Sequence, residues 1–521
     1  MPETQQLKRS LGLIDATSIV AGSMIGSGIF VVSTYMSRDL GSSGYLLLAW
    51  FLTGLITVFA ALSYGELAGM MPKAGGQYVY LQRAYGKTIS FLYGWTVFSV
   101  IQTGVIAAVA VTFANYSSVF IPALNKTLLA YHHHVQDGKF IFPLPENGLY
   151  FMPDDITASC ANFRITFGQL FAIGSVIFLT FLNSLGVKNG KTIQTVFTSA
   201  KILALLALIV LGISAGWKTG TLSQNFADAW NASYTKVDPE TNKVISVESI
   251  TGWALMGALA ATMINSLFSS DAWNNVTFIA GEIKQPEKNI PRSLFLGTLI
   301  VTLLYILANI AYLSLLPLHG NSEAGDIIGK GMQFQENDRI GAAAANMIFG
   351  NSAVFIMAAL IMISTFGCNN GIILSGARLY YAMAKDGLFF KRAGRLNSFA
   401  VPSFALWIQC VWGSLLCLSG RYGQLLTYST FASLLFYILT IAGIFVLRKK
   451  EPGAERPYKA FGYPFIPALY IITVTAICVT LLVYDPLDTG IGLGIVLLGL
   501  PVYYFTRGAQ AFSPAEAIDH P

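Results

Sequence analysis

Lys201 sits in the middle of "TSAKILALLALIV", with roughly ten apolar or small residues on either side, ~15 Å of helix. An ammonium so placed is too deep to snorkel to water, so it must point inward and find acceptors. Asp271 is set in a similar way in "SLFSSDAWNN", beside Ser269, Ser270 and Asn274. A third stretch, "AGSMIGSGIF" from Ala21 to Phe30, puts Gly22, Ser23, Gly26, Ser27 and Gly28 within seven residues of an apolar run. Glycine in a helix interior costs about 1 kcal/mol relative to alanine, so this run is weakest at its own midpoint. The chemistry on offer is ligand binding by backbone and buried charge. Asp271 has no histidine or second carboxylate near it in sequence, so acid–base catalysis is not expected. None of Cys160, Cys368, Cys410, Cys417 and Cys478 has CxxC or zinc-ligand spacing. The triplet His132-His133-His134 reads as a solvated loop surface, and neither metal nor cofactor is expected.

The elements that position these residues follow from composition. Of 521 residues, 54% are hydrophobic and 11% charged, against roughly 25% charged in soluble domains. This is an all-α polytopic membrane protein. Its net charge of +6 is explained by topology and not by nucleic acid. Twelve apolar runs are long enough to be spans, near 12–39, 44–70, 84–121, 165–186, 192–215, 251–280, 292–317, 340–384, 402–419, 424–447, 464–484 and 487–507. The third and eighth exceed a simple span and are expected to tilt or to extend beyond the bilayer. With both termini cytoplasmic, inner segments and flanks hold 21 of the 32 basic residues and outer ones 10, which sets the orientation in the cell membrane. The one left over is Lys201. No cleavable leader is read at the start, so the first span is taken as retained. The outer loops 122–164 and 216–250 read as connectors, with a cap over the outer vestibule as the other role.

A backbone break facing lipid would leave amides unpaired in hydrocarbon, so a break must line a cavity. For "GSMIGSG" alone, an unwound segment and a GxxxG helix crossing of Gly22 and Gly26 fit equally well. The Ser269–Asn274 stretch favours the first reading. Interrupted spans that open each of two five-helix groups point to a transport site between inverted repeats. The half-helix from Gly26 to Gly28 offers free N–H groups and a positive dipole end for a carboxylate. The carbonyls around Ser23, Met24 and Ile25, and from Phe268 to Ser270, suit an ammonium. Such a site takes a zwitterion, an α-amino acid. Lys201 is expected to reach the carbonyls of the first span, where a coupled cation would otherwise sit. Tyr305 either adds its hydroxyl to that network or packs as an aromatic. Asp15 and Glu282, near the cytoplasmic ends of spans 1 and 6, read as gate or cap ion pairs.

"GSMIGSGIF", "SYGELAGMMPKAGGQYVYLQRAYG", "TSAKILALLALIV" and "AWNNVTFIAGEIKQPEKNIPRSL" together resemble the amino acid–polyamine–organocation superfamily, and within it the L-type amino acid transporters, over roughly residues 7–460. The resemblance implies a leucine-transporter-like 5+5 inverted-repeat fold with twelve transmembrane helices, helices 1 and 6 unwound at mid-membrane. It is one domain, with repeats 12–215 and 251–447 and two further helices at 464–507. It implies sodium-independent exchange of neutral amino acids. Carried over residue by residue, the carboxylate turn falls on Ser23, Met24, Ile25, Gly26, Ser27 and Gly28 and the aromatic gate on Phe268. The span-5 lysine falls on Lys201, the asparagine after tryptophan on Asn274 and the span-7 tyrosine on Tyr305. Asp271–Ala272 stands where the family often has Gly–Gly or Asp–Gly, and Ser269–Ser270 where an aromatic is common. Animal members join a heavy-chain glycoprotein through a loop cysteine. Cys160 lies in that loop, but no heavy-chain partner is expected. The alternative mechanism is a proton-coupled importer of the same fold, with Lys201 carrying the coupling proton. A channel would need a repeated filter or a ring of charges, and none is seen.

Overall fold

The computed structural model describes residues 9–133, 147–152, 163–238, 244–335, 338–419, 422–484 and 486–511. Among them, ten helices are long and apolar enough to cross a bilayer. The first apolar run divides into α1 (Leu13–Met24) and α2 (Val32–Leu40). Helix α3 (Ser43–Met70) begins on Ser42, whose side chain accepts the Tyr45 amide as an N-cap. Helix α4 (Gln77–Tyr85) follows. Then α5 (Lys87–Thr96), a π-helical turn Val97–Ile101 and α6 (Gln102–Ser117) continue one another, which accounts for the length of the third run. Next come α7 (Phe167–Ser184), α8 (Val187–Gly216) and the short α9 (Thr221–Ala227). The sixth run divides into α10 (Gly252–Ser269) and α11 (Asn275–Phe278). Helix α12 (Pro286–Leu315) is continuous, and α13 (Ile327–Lys330) is a single turn.

The eighth run is not one tilted helix. It divides into α14 (Ile340–Phe349) and α15 (Ala353–Lys385) at Gly350, whose φ of +62° ends the first piece. Helices α16 (Ser403–Cys417), α17 (Tyr422–Lys450), α18 (Phe465–Tyr484) and α19 (Pro486–Ala511) complete the chain.

The all-helical expectation needs correction in the loops 122–164 and 216–250. Strands β1 (Thr127–His133), β2 (Asn147–Phe151) and β3 (Phe163–Thr166) form an antiparallel sheet in the order β2-β1-β3. His132 and His133 belong to β1; His134 and Cys160 lie outside the described residues. Strands β4 (Ser233–Val237) and β5 (Val244–Ser249) form a hairpin. The segment leading into this hairpin is tied to the end of α2 and the start of α3. The Ser42 hydroxyl and the Gly44 amide donate to the Ala229 carbonyl at 2.5 and 2.8 Å, and Gln333 joins the Ser37 carbonyl to the Thr235 hydroxyl.

Two long helices position the site. Helix α12 packs on α1, α3 and α8, and α15 packs on α1, α6 and α8. The broken first helix is thus held between them. Arg448 clamps the buried carboxylate of Glu66, on α3, with Nε at 2.9 Å and Nη2 at 2.6 Å, and the Ala460 amide adds a third donor at 2.7 Å. Nearby, Arg83 pairs with Glu451 and holds that carboxyl below its usual range.

Candidate functional site

Helix α1 stops at Met24 because Ile25 turns extended, with φ −74° and ψ 91°, and helical structure resumes only as a 3-10 turn from Gly28 to Phe30. A run of glycine and serine loses little by leaving the helix, but each carbonyl it frees must then find a donor. All of them do. Lys201 Nζ donates to the Gly22 carbonyl (2.5 Å) and the Ile25 carbonyl (2.7 Å). The Ser364 hydroxyl lies 3.1 Å from the Ile25 and Gly26 carbonyls. The Cys368 thiol donates to Ser23 O at 3.0 Å. The Tyr305 hydroxyl lies 3.1 Å from Met24 O and 3.1 Å from Ser269 O, so its one proton serves either break, one at a time. Tyr305 therefore joins the two breaks to each other and does not bond Lys201.

This arrangement corrects one expectation. The carbonyls from Gly22 to Gly26 are engaged by side chains of α8, α12 and α15, so the Ser23–Ile25 carbonyls are not a free ammonium site. What the first break leaves open is the opposite kind of group: the Gly26 and Ser27 amides have no acceptor among the described residues. The Lys201 ammonium beneath them adds positive charge. The first break thus presents donors to an anion.

The second break supplies acceptors. After Ser269 the Ser270 amide bonds back to Ser266 O (3.0 Å) and the Asp271 amide to Phe268 O (3.2 Å). Ala272 follows with φ +65°, a left-handed conformation natural to glycine and costing about 1–3 kcal/mol elsewhere. The Ser270 and Asp271 carbonyls accept no hydrogen bond from the described residues. The Asp271 carboxylate accepts the Tyr437 hydroxyl at 2.6 Å, and that hydroxyl lies 3.3 Å from Asn274 Oδ1. Asn274 Nδ2 donates to Gln77 Oε1 (2.8 Å), and Gln77 Nε2 to Thr440 (3.0 Å). No cation pairs with Asp271 among the described residues. Asp271, Asn274, Gln77, Ser433 and Tyr437 line a cavity of about 20 Å³, room for a water but not for a larger ligand.

The residues singled out in sequence fall into two groups. Ser23, Met24, Ile25, Gly26, Ser27, Gly28, Lys201, Ser269 and Tyr305 lie together around the first break. Asp271 and Asn274 belong to the neighbouring polar network. Phe268 is half-buried and lines neither of the two cavities that Asp271 faces. The glycines divide as well. A Cβ on Gly22 would stand 2.1 Å from Gln194 Nε2 and 2.2 Å from Thr198 Oγ1, so Gly22 serves the crossing of α1 and α8. A Cβ on Gly28 would stand 2.2 Å from Ser269 Oγ and 2.8 Å from Ser269 Cβ, so Gly28 serves the contact between the two breaks. Gly26 meets nothing closer than Cys368 Sγ at 3.6 Å. Ser364, Cys368, Gln77 and Tyr437 were missed in the sequence. Ser364 and Cys368 stand one helical turn apart on α15, a spacing that marks one face but not which face.

Two ion pairs lie beyond the breaks along the chain, one past each. Past the second, Arg378 Nε donates to Glu282 Oε1 at 2.9 Å with both side chains fully buried, while the Ser10 and Leu11 amides donate to the Glu282 carbonyl. Past the first, Arg38 pairs with Asp338 at 2.6 Å. The Asp15 carboxylate accepts the Gly12 amide at 2.8 Å at the start of α1.

The family described as amino acid permease matches residues 11–500. The chain is 30% identical over 512 residues to a serine/threonine exchanger, SteT, of Bacillus subtilis, covering 98% of this chain and 99% of that protein. It is 29% identical to the human large neutral amino acids transporter small subunit 2, covering 96% of this chain and 80% of that protein. It is 26% identical to the mouse Asc-type amino acid transporter 1, covering 96% and 82%.

Proposed function

The chain belongs to the amino acid permease family, and we propose that it exchanges neutral L-amino acids across the cell membrane by alternating access, without sodium. The reading takes the fold to be two inverted five-helix repeats with twelve spans and both termini cytoplasmic. The observation that carries it is the polarity of the two breaks. The free Gly26 and Ser27 amides, backed by the Lys201 ammonium, receive the substrate carboxylate. The open Ser270 and Asp271 carbonyls receive its ammonium. Lys201 occupies the place a coupled cation would take, so no sodium is required. Relatives named for exchange of serine and threonine and for transport of large neutral amino acids share the zwitterionic part such a site recognises. Replacing sodium by choline outside proteoliposomes leaves uptake unchanged, and internal amino acid accelerates it. A steep loss without sodium would overturn the reading. A second reading, proton-coupled import, is favoured by the Asp271 carboxylate, which accepts the Tyr437 hydroxyl but faces no cation among the described residues and lies beside a water-sized cavity. It is distinguished by uptake that follows an imposed pH gradient with empty vesicles.

The glycines give a second test. Gly26→Ala fits the closed site sterically, so its melting temperature stays at the wild-type value. Its methyl crowds the carboxylate position, and affinity for leucine, alanine and serine falls at least about tenfold. Gly28→Ala instead loses stability, by about 1–3 kcal/mol of overpacking against Ser269. Wild-type binding by Gly26→Ala would place the carboxylate elsewhere.

A further inference from the structure

We propose that the cleft between the start of α12 and the loop joining α17 to α18 binds the headgroup of an anionic phospholipid. The cleft has a volume of about 600 Å³ and lies apart from both breaks. Lys288 and Arg292, one helical turn apart on α12, line it from one side and Lys459 from the other. None of the three side chains has a hydrogen-bond or ion-pair partner among the described residues. One carboxylate, Glu287, shares the cleft, so positive charge stays in excess. Three unpaired cations around one hollow repel one another, and an anion shared between them removes that cost.

The rest of the lining says which anion. Phe295 and Phe461 border the cleft and are 37% and 65% exposed. From Phe295 an apolar stripe continues along the outer face of α12 through Leu303 (52% exposed) and Leu307 (38% exposed), two positions at helical spacing. A free phosphate would use only the basic rim. A phospholipid uses both, with its phosphate among Lys288, Arg292 and Lys459 and one acyl chain along the α12 stripe. Positive charge at the end of a membrane helix is the usual recognition device for anionic headgroups. The floor is shaped for close packing: a Cβ on Gly65 would stand 2.8 Å from the Tyr458 ring and 3.2 Å from Pro291. The lipid would then bridge α12, which carries Tyr305, to the loop whose Ala460 amide holds Glu66.

The test uses the full chain in detergent, with phosphatidylglycerol, phosphatidylcholine or glycerol phosphate added at equal concentration. Lipid retention is read by native mass spectrometry and melting temperature by intrinsic fluorescence. Phosphatidylglycerol is retained and raises the melting temperature, while the other two do neither. The triple substitution Lys288→Gln, Arg292→Gln, Lys459→Gln changes exposed residues only. It lowers phosphatidylglycerol affinity on the order of a hundredfold, from the roughly fivefold that each basic residue contributes near an anionic headgroup. Equal effects of phosphatidylcholine, or undiminished retention by the triple variant, would overturn the proposal. An equal shift from glycerol phosphate would also overturn it, by reducing the cleft to a phosphate site.

Discussion

Lys201→Ala weakens apparent affinity for internal substrate far more than for external substrate. The lysine ties α8 to the end of α1 through two carbonyls, and those two do not lose equally. The Ile25 carbonyl keeps the Ser364 hydroxyl at 3.1 Å. The Gly22 carbonyl has no other donor among the described residues, and Gly22 is buried. Leaving one such group unsatisfied costs about 1–3 kcal/mol, and α1 avoids that cost by swinging toward water on the cytoplasmic side. A bias of that size shifts the conformational equilibrium roughly 5- to 150-fold. Oriented proteoliposomes with one face varied at a time report it directly. Lys201→Arg keeps a donor but not the space for it, so partial rescue is expected only on the outer face. Equal changes on both faces would mean general destabilisation. No change on either would leave the break held by Ser364, Cys368 and Tyr305 alone.

The sequence carried the breaks themselves but not how they are satisfied. "GSMIGSG" and "SSDAWNN" stand out because glycine, serine and a carboxylate at mid-span violate what a lipid-facing helix allows, and a violation is visible locally. Lys201 was legible for the same reason. Its partners were legible because the Gly-rich first span was expected to free carbonyls for a buried ammonium. What completes the site comes from α15, α12 and α17, more than 270 residues from Gly22 in the cases of Ser364 and Tyr305. Nothing in "LIMISTFGCNNG" says that Ser364 and Cys368 rather than Thr365 and Asn369 face α1. The direction of the error is instructive. Freed carbonyls suggested an ammonium site, yet a protein that buries a break must first satisfy its own backbone, and here it does so with side-chain donors. The amides are the residue of that accounting. Ala272 shows a second limit: its φ of +65° marks a place where glycine would be at ease, which fits the Asp–Gly pair common in the family. The division at Gly350 was readable from "FGNSA", where glycine, asparagine and serine stop a helix, but the apolar run around it masked the signal. The outer strands were not readable, because their pairing partners are separated by loop sequence of no fixed length.

In the proposed orientation, Arg378→Ala opens the cytoplasmic side. The Arg378–Glu282 pair is fully buried, and each partner also leaves one atom without a hydrogen bond, Arg378 Nη2 and Glu282 Oε2. Such a pair contributes little net stability, because desolvation offsets most of its attraction. Removing one member is different: an uncompensated buried carboxylate costs about 3–5 kcal/mol, which the protein escapes by hydrating Glu282. Glu282 sits just past α11, and its backbone carbonyl holds the Ser10 and Leu11 amides at the start of the chain. Hydrating it therefore releases both the end of the second broken helix and the segment leading into α1. The expected result is an inward-open state. Cys368 reports it, since its thiol donates to the Ser23 carbonyl and is buried in this structure. With Cys160, Cys410, Cys417 and Cys478 replaced by alanine, an impermeant maleimide applied from the cytoplasmic face labels Cys368 slowly in the parent and at least about tenfold faster in Arg378→Ala. The paired change Arg378→Met with Glu282→Leu removes both charges and keeps the volume, and it returns labelling toward the parent rate. If the single variant labels slowly, Glu282 is neutralised in place and the pair is no gate. If the paired variant labels as fast as the single one, the arginine acts through its shape and its bond to the Leu374 carbonyl rather than through charge.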